Sequence, residues 1–586
     1  MKFIQNVKNE SISEAHLRKL GLKSTEEIND WFRKSYSNGY WIKPMESIIN
    51  LLNEFKEKTV YVLGDYDVDG VSATSIMILG LSWAGFKDVK YKIPNRNDGF
   101  GVSIKIIEEI NSEIKTKSIS PEDVLLITVD NGIAGIEPVQ YAKELGFKVI
   151  ITDHHQPTVI DNKIVLPNAD IIFDANAVEN SAEFNGYCGA ANAYKIMFEL
   201  LDDDNRKNLL TPIAMFATFC DQMELVEENY VIAYKGLKMA NEQMDFCLPA
   251  IRALAQVFGI VHWTSTSVGF SIGPAINALE RVEDGAAKYG VQLLTCSDYE
   301  TCLELAIKLK GYNDDRKIMT EEAYGKADAM IKSENENLNQ IAYPIILNVP
   351  DVRIGILGIL AGKILEKYNL PVGVFSKADD GTLKGSFRSP DMYNIKEHLD
   401  ECAEEFIVYG GHAPAAGATV SEDNFENMKR IMQETAKPNV APKDQDVLYY
   451  DVEISNNDLI QAIQENEKFQ PLGNGNEDLI FKITDFNVIP DFGGYKKPMR
   501  NNGVRLKSVS SVAVGFGKMD KAKDINGPCT ITLYGTIANN YWKKQNGEVI
   551  VNQQIQFEEL EIQEEENKLT PFAKALREKA LKRNQN

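Results

Sequence analysis

Thr59-Val60-Tyr61-Val62-Leu63-Gly64-Asp65-Tyr66-Asp67-Val68-Asp69-Gly70 is the stretch on which the fold turns. Its first five residues form a β-branched, largely apolar run with the length of a buried strand. The next residues place carboxylates at alternate positions and end on a glycine that permits a tight turn. Ser72–Ala84 then carries helical spacing. The unit therefore reads as strand, acidic turn and helix. Outward from it, Val124–Val129, Phe147–Thr152 and Asp170–Phe173 read as further strands, with Glu137–Leu145 as an intervening helix. Strands alternating with helices predict an α/β fold built on a parallel sheet.

The chemistry sits where such sheets place it, beyond the carboxyl ends of the strands. Asp65, Asp67 and Asp69 follow the first strand; Asp130 follows Leu125-Leu-Ile-Thr-Val; Asp153-His154-His155 follows Val149-Ile-Ile-Thr. Acids gathered at one sheet end repel one another unless cations neutralise them. Only six histidines occur in the chain, and two are adjacent here. Asp221, after the apolar helix Ala214–Phe219, reads equally as a ligand or as an ordinary surface acid. Carboxylates with imidazole suit Mn²⁺, and an all-oxygen site would suit Mg²⁺ or Ca²⁺. Several acids with one or two histidines can hold two divalent ions about 3.5–4 Å apart, the arrangement that hydrolyses phosphate esters or anhydrides.

The chain has 586 residues, enough for about three or four domains. Residues 1–55 read as a helical extension with aromatic residues Trp31, Phe32, Tyr36, Tyr40 and Trp41, expected to serve packing. Residues 56–298 hold the first α/β pattern, 299–337 a connecting helix, and 338–440 a smaller α/β domain. In the latter, Tyr343–Leu347 and Val372–Phe375 read as strands around a helix Ile356–Tyr368. Residues 441–565 comprise a linker and β-like runs separated by Gly-Gly and Asn-Gly turns, which predict a small barrel of OB type. Lys496, Lys497, Arg500, Arg505, Trp542 and Lys543 mix cations with an aromatic ring there, as a single-strand grip requires. Residues 566–586 form a basic tail, expected to be helical.

A net charge of −22 argues against a molecule-wide polyanion surface. Any nucleic-acid site must therefore concentrate its cations locally or borrow them from metal ions. The seven cysteines are dispersed, without a Cys-x-x-Cys pair, as expected of reduced cytoplasmic thiols. No apolar run reaches the ~18 residues of a membrane span, and no secretory h-region is visible.

Taken together, the Asp-Tyr-Asp-x-Asp-Gly, Asp-Asn-Gly and Asp-His-His series resembles the DHH phosphoesterase superfamily. Ile93-Pro-Asn-Arg96, Gly99-Phe-Gly-Val, Gly273-Pro-Ala-Ile-Asn277-Ala-Leu-Glu-Arg281 and Phe469-Gln-Pro-Leu-Gly-Asn-Gly-Asn resemble segments of its RecJ-like exonucleases. Gly385-Ser386-Phe-Arg388-Ser and Gly410-Gly411-His412 resemble the accompanying DHHA1 module. The resemblance covers about residues 55–565. It implies two Mn²⁺ or Mg²⁺ ions, with Asp67 and Asp69 binding one each, Asp130 bridging, and His154 and Asp221 completing the shell. It implies Asp65 as a ligand or supporting acid and His155 against the reacting phosphate. Arg96, Arg281, Ser386 and Arg388 would hold a 5′-phosphate, and His412 would contact substrate near the metals. The implied activity is 5′ to 3′ hydrolysis of single-stranded DNA in recombination and repair, by a cytoplasmic monomer working with a helicase or single-strand-binding protein and no membrane.

Three segments depart from the family pattern: Leu279-Glu280 precedes Arg281, Cys220-Asp-Gln-Met-Glu-Leu225 replaces a more apolar segment, and a His-Pro pair is absent before the helix at 356. Two other readings stand beside this one. A short-oligonucleotide or cyclic-dinucleotide phosphodiesterase would share both modules but not need the barrel. An inactive scaffold in a replication complex would have lost ligands, and none is missing.

Overall fold

Thr59–Leu63 forms strand β1 and is buried along its whole length in the computed structural model. The structure describes residues 2–33, 42–96, 101–160, 163–178, 182–334, 341–437, 447–491, 494–544 and 546–563. Tyr36, Tyr40, Trp41, Gly99, Phe100, most of the linker, the last residues of the connecting segment and the basic tail lie outside the described residues.

Strand β1 pairs in parallel with β2 (Asp88–Lys92) on one side and β3 (Val124–Val129) on the other; β4 (Lys148–Thr152) and β5 (Ile171–Phe173) follow. The order β2-β1-β3-β4-β5 is that of a doubly wound sheet whose direction of winding reverses between β1 and β3. Every residue of β3 is buried, as expected of a parallel strand covered on both faces. Helix α1 (Val68–Trp83) begins earlier than its apolar spacing suggests, because the Asp67 side chain caps it by accepting from Gly70 N. Helices α2 (Gly189–Leu200) and α3 (Asp204–Cys220) pack against α1 and deepen the same core.

Helix α4 (Gly273–Val282) lies against α5 (Tyr299–Glu334), a 36-residue helix about 54 Å long at 1.5 Å per residue. Early in α5, Cys302, Ala306 and Leu309 belong to the core of the first sheet. Later, Ala323, Ala327 and Ile331 belong to a second core with helix α6 (Leu357–Tyr368). One helix is thus held at both ends by burial and acts as a strut between two layers.

The second sheet contains β6 (Ile345–Asn348), β7 (Val372–Lys377), β8 (Leu383–Arg388), β9 (Val408–His412) and β10 (Ala415–Val420), in the order β9-β10-β8-β7-β6. Only β6 and β7 are parallel; the other neighbours are antiparallel. The Gly-rich segment around His412 is the end of an edge strand and a tight turn.

The C-terminal sheet runs β11 (Val452–Ser455), β12 (Phe481–Asn487), β16 (Thr530–Lys543), β17 (Val549–Ile562), β15 (Ser511–Gly515), β14 (Gly503–Lys507), β13 (Lys497–Met499). A bridge between Ile489 and Lys507 brings the extension of β12 against β14 and closes the barrel. Counting from β12, the five closing strands follow 1-2-3-5-4-1, with β15 and β17 parallel, which is the connectivity of an OB barrel.

The N-terminal extension is not purely helical. Lys2–Gln5 adds a parallel strand to Val447–Tyr450, and Ile12 and Ala15 sit in the barrel core. Trp31 stacks on Tyr230 of the first domain at 4.7 Å and lies 5.3 Å from Phe469 of the segment leading into the barrel. For Trp31 and Phe32 the expected packing role is met by contacts with sequence-distant elements. Among the described residues no helix is long and apolar enough to cross a membrane.

Candidate metal centre and phosphate cleft

The ends of β1, β3 and β4 bring Asp65, Asp67, Asp69, Asp130, His154 and His155 to the reversal point of the sheet, and the end of α3 adds Asp221. His154 Nε2 lies 3.1 Å from Asp130 Oδ1, 3.5 Å from Asp69 Oδ2 and 3.8 Å from Asp221 Oδ2. Three sets of possible ligand atoms each fall within 4.8 Å: Asp130 with His154 and His155; Asp69 with His154 and Asp221; Asp65 with Asp67 and Asp130.

The local geometry is costly without a cation. Asp130 adopts a left-handed backbone, φ 61°, just after β3. Both carboxylate oxygens of Asp65 and Oδ1 of Asp130 are buried and accept no hydrogen bond of ordinary geometry. Burial first, and the charges of the neighbouring carboxylates second, push Asp65, Asp67, Asp130 and Asp221 above the usual carboxylate range. Orphaned, mutually repelling carboxylate oxygens beside an imidazole are a donor set that fits divalent ions. Asp69 is steadied differently: its two oxygens each accept at 2.7 Å from Gly189 N and Ala190 N, at the start of α2. The helix N-terminus thus favours its charge.

Several positioning residues escaped the sequence reading. Asp153 Oδ1 accepts from His154 N and pairs with His155 Nδ1 at 2.7 Å, while Oδ2 accepts from Ile133 N at 2.9 Å. Burial works against a protonated His155, yet the Asp153 hydrogen bond and charge, with Asp69 and Asp221 behind it, lift it to about 9. Asn277 Oδ1 accepts from Val68 N at 3.1 Å and ties α4 to the acidic turn. Asp174, at the end of β5, is fully buried and caps Asn176 N and Ala177 N. Its signal was available: it is a further acid at the same end of the same sheet.

Tyr66 separates this acidic cluster from a basic one. The Arg96 guanidinium lies 5.4 Å from the Tyr66 ring centre. Burial, then the charges of Arg96, Arg316 and Arg388, lower Arg281 to about 10, so four guanidiniums converge. Arg281 Nη1 donates to Gly355 O at 3.0 Å, across to the second domain. Arg388 Nη1 donates to Ser386 Oγ at 3.1 Å, both side chains facing the start of α6. A Cβ on Gly358 would come 2.9 Å from Arg388 Nη2. The Glu280 departure has a clear role: its buried carboxylate accepts from Arg96 N at 3.0 Å and Gly285 N at 2.9 Å, fixing the loop that carries Arg96. The departure at Cys220–Leu225 is also structural. Leu225 N donates to Asn474 O at 2.6 Å and Asn474 Nδ2 to Gln222 O at 2.8 Å, docking the barrel's leading segment beside Asp221.

The remaining expected residues are not all gathered here. His412 is exposed and is not a member of the acid–histidine groups found among the described residues. On the barrel, Lys497 and Arg500 are exposed in the connection between its first two closing strands, and Trp542 (43% exposed) and Lys543 lie beside the turn between its last two. Lys496 and Arg505 are engaged within the barrel: Lys496 Nζ donates to Lys523 O and, at 3.1 Å, to Asn526 Oδ1, and Arg505 pairs with Asp491 at 2.5 Å. They shape the surface more than they present charge.

A family model described as the N-terminal domain of the DHH family matches residues 59–218, and a DHHA1 domain model matches 341–437. The single-stranded-DNA-specific exonuclease RecJ of Haemophilus influenzae is 30% identical over 478 residues, spanning 78% of this chain and 80% of that protein. The exonuclease of the same name from Salmonella typhimurium is 32% identical over 403 residues, 65% of this chain and 67% of that protein. The crystal structure of RecJ from Thermus thermophilus in complex with Mn²⁺ superposes with a TM-score of 0.70 over 96% of this chain and 80% of that one, at 22% identity, a likeness of fold.

Proposed function

The chain belongs to the RecJ family of DHH and DHHA1 phosphoesterases, and from that premise we propose that it is a metal-dependent exonuclease that degrades single-stranded DNA from 5′ to 3′. The observation that carries the reading is the cleft in which an acid–imidazole cluster and an arginine cluster flank one tyrosine, Tyr66. The first cluster suits hydrolysis of a phosphodiester; the second suits a terminal phosphate one nucleotide away.

Asp65, Asp67, Asp69, Asp130, His154 and Asp221 would hold two Mn²⁺ or Mg²⁺ ions. When bound, such a pair supplies Lewis-acid activation of water and stabilises charge on the reacting oxygens. The chain's own groups do the rest. Asp153 orients His155 through Nδ1, leaving Nε2 for the reacting phosphate. Arg96, Arg281 and Arg388, with the Ser386 hydroxyl, grip the 5′-phosphate by charge-assisted hydrogen bonds. Holding the end fixes which bond meets the acidic cluster, so one nucleotide leaves per cycle and polarity follows from the clamp.

The expected division of the chain fits this work: residues 56–298 for hydrolysis, 338–440 for the 5′ end, 441–565 for the strand beyond. Lys497, Arg500, Trp542 and Lys543 would carry the strand through phosphate contacts and base stacking. An enzyme restricted to single strands needs a helicase or a single-strand-binding protein to present them. It would work as a monomer in the cytoplasm; the seven free cysteines agree with a reducing compartment. The test is a substrate panel with Mn²⁺ or Mg²⁺: 5′-phosphorylated and 5′-hydroxyl single-stranded DNA, blunt duplex and RNA, each labelled at the far end. Preferential loss of 5′-phosphorylated single-stranded DNA is the expected result. Digestion from the 3′ end, or equal loss of duplex, would overturn the reading.

A further inference from the structure

The proposed 5′-phosphate clamp is not a closed pocket. Arg96 and Arg281 also line a cavity of about 450 Å³ between the two α/β domains, which continues past the clamp to Arg353, Lys377 and Lys384. Lys384 is on β8, and side chains of a strand alternate between faces. Lys384, Ser386 and Arg388 therefore share one face, while Leu383 and Phe387 are buried in the core on the other. Successive members of that row are about 6.7 Å apart along the strand.

The charges of the cavity wall sort into used and unused. Glu280 is occupied by backbone N–H groups, Asp284 pairs with Arg353 at 3.5 Å, and Lys377 pairs with Glu422 at 2.5 Å. Asp380 accepts from Thr382 N at 2.9 Å and Thr382 Oγ1 at 2.6 Å. Asp351 and Asp379 are exposed at the mouth, where water and salt screen them. Arg96 and Arg281 line the cavity from the first domain, Arg281 also donating to Gly355 O at 3.0 Å, and Lys384 lines it from the second, with the Asp380 carboxylate near enough to feel its charge. Among the described residues the lining carries no aromatic ring on which a base would stack. The space suits additional phosphate groups better than an additional nucleoside.

We infer that this cavity accepts the β- and γ-phosphates of a 5′-triphosphorylated strand, with Lys384 as their anchor. The inference rests on the 5′-end reading given above. In the cycle it predicts, water adds to the phosphorus joining the first and second nucleotides, and the bond from that phosphorus to the first nucleotide's 3′-oxygen breaks. That oxygen takes a proton. The first nucleotide leaves as an intact nucleoside 5′-triphosphate, and the shortened strand begins with a 5′-monophosphate.

The test uses one sequence with 5′-hydroxyl, 5′-monophosphate or 5′-triphosphate ends, labelled at the 3′ end, with the full-length protein, Mn²⁺ and analysis of the first product. The inference expects the triphosphate strand to be cut within about threefold of the monophosphate strand and to release nucleoside triphosphate. A charge-assisted contact is strong enough that K384A should lower the triphosphate-to-monophosphate ratio of kcat/KM roughly tenfold, and K384R should restore most of it. Release of pyrophosphate instead of nucleoside triphosphate would overturn the inference. So would a triphosphate strand cut no faster than the hydroxyl strand, or a K384A ratio equal to wild type. Each of these leaves the exonuclease reading intact, whereas failure on the monophosphate strand would sink that reading itself.

Discussion

Arg388 shows how much of a role can be argued from one side chain. Its guanidinium is half-buried, donates to Ser386 Oγ and Phe387 O, and faces the start of α6 across Gly358. Burying an arginine without a carboxylate partner is unfavourable unless an anion completes it. R388A should therefore lower the preference for a 5′-phosphate over a 5′-hydroxyl by about ten- to a hundredfold, the equivalent of roughly 1.5–3 kcal/mol. The measurement is the ratio of kcat/KM for the two ends, and an unchanged ratio would move the clamp to other residues. At this scale the sequence was most informative where chemistry and period coincide. Asp65, Asp67, Asp69, Asp130 and His154 stand at strand ends that apolar runs make visible. Glu280 and Asp153 were not legible as positioning groups, because the backbone N–H groups of Arg96 and Ile133 that they hold are brought near only by folding.

Among the elements, α2 matters beyond its packing. Its first residue, Gly189, touches Asp130 so closely that a Cβ there would come 2.4 Å from the Asp130 Cβ. The same residue's N–H holds Asp69. G189A must push α2 away from β3 or move Asp130. We expect a loss of about 1–3 kcal/mol from overpacking and a disproportionate fall in activity, at least tenfold, together with weaker Mn²⁺ binding. Calorimetric titration with Mn²⁺ beside urea denaturation separates the two effects; wild-type metal affinity in G189A would show that α2 does not set the ligand geometry. The parallel sheet was legible because buried strands read as continuous apolar runs. Strands β9 and β10 were not, since Val408-Tyr-Gly-Gly-His412 and Ala415-Ala-Gly-Ala-Thr-Val420 carry too little β-branched bulk to outweigh their glycines.

The whole molecule closes on itself through its N-terminal segment. Asp451, with its side chain 1% exposed, accepts from Asn6 at 2.8 Å and lies 3.3 Å from both Arg18 and Lys19. Burial tends to raise its pKa, but Asn6, Ile480 N and Lys19 outweigh that and hold it below the usual carboxylate range. A depressed folded-state pKa means that this stabilisation is present above the unfolded value of about 3.9 and is lost as pH falls through the folded value. D451N should loosen residues 2–19 by about 1–3 kcal/mol at pH 7, and the difference from wild type should shrink below about pH 4. Hydrogen exchange of that segment against pH is the readout; a difference that persists in acid would mean that charge is not what docks it. None of this was legible, because a strand pairing 445 residues apart leaves no local pattern.

The central claim is that the cluster at the sheet's reversal point hydrolyses single-stranded DNA from its 5′ end with divalent metal. The most direct measurement is a time course on a 5′-phosphorylated, 3′-labelled single strand in Mn²⁺, for wild type and D130A, with chelator added midway. The account predicts a ladder that shortens from the 5′ end and stops on chelation, and a correctly folded D130A slower by several orders of magnitude, at about 1.4 kcal/mol per decade. Continued degradation in chelator, or wild-type rates from D130A, would contradict it.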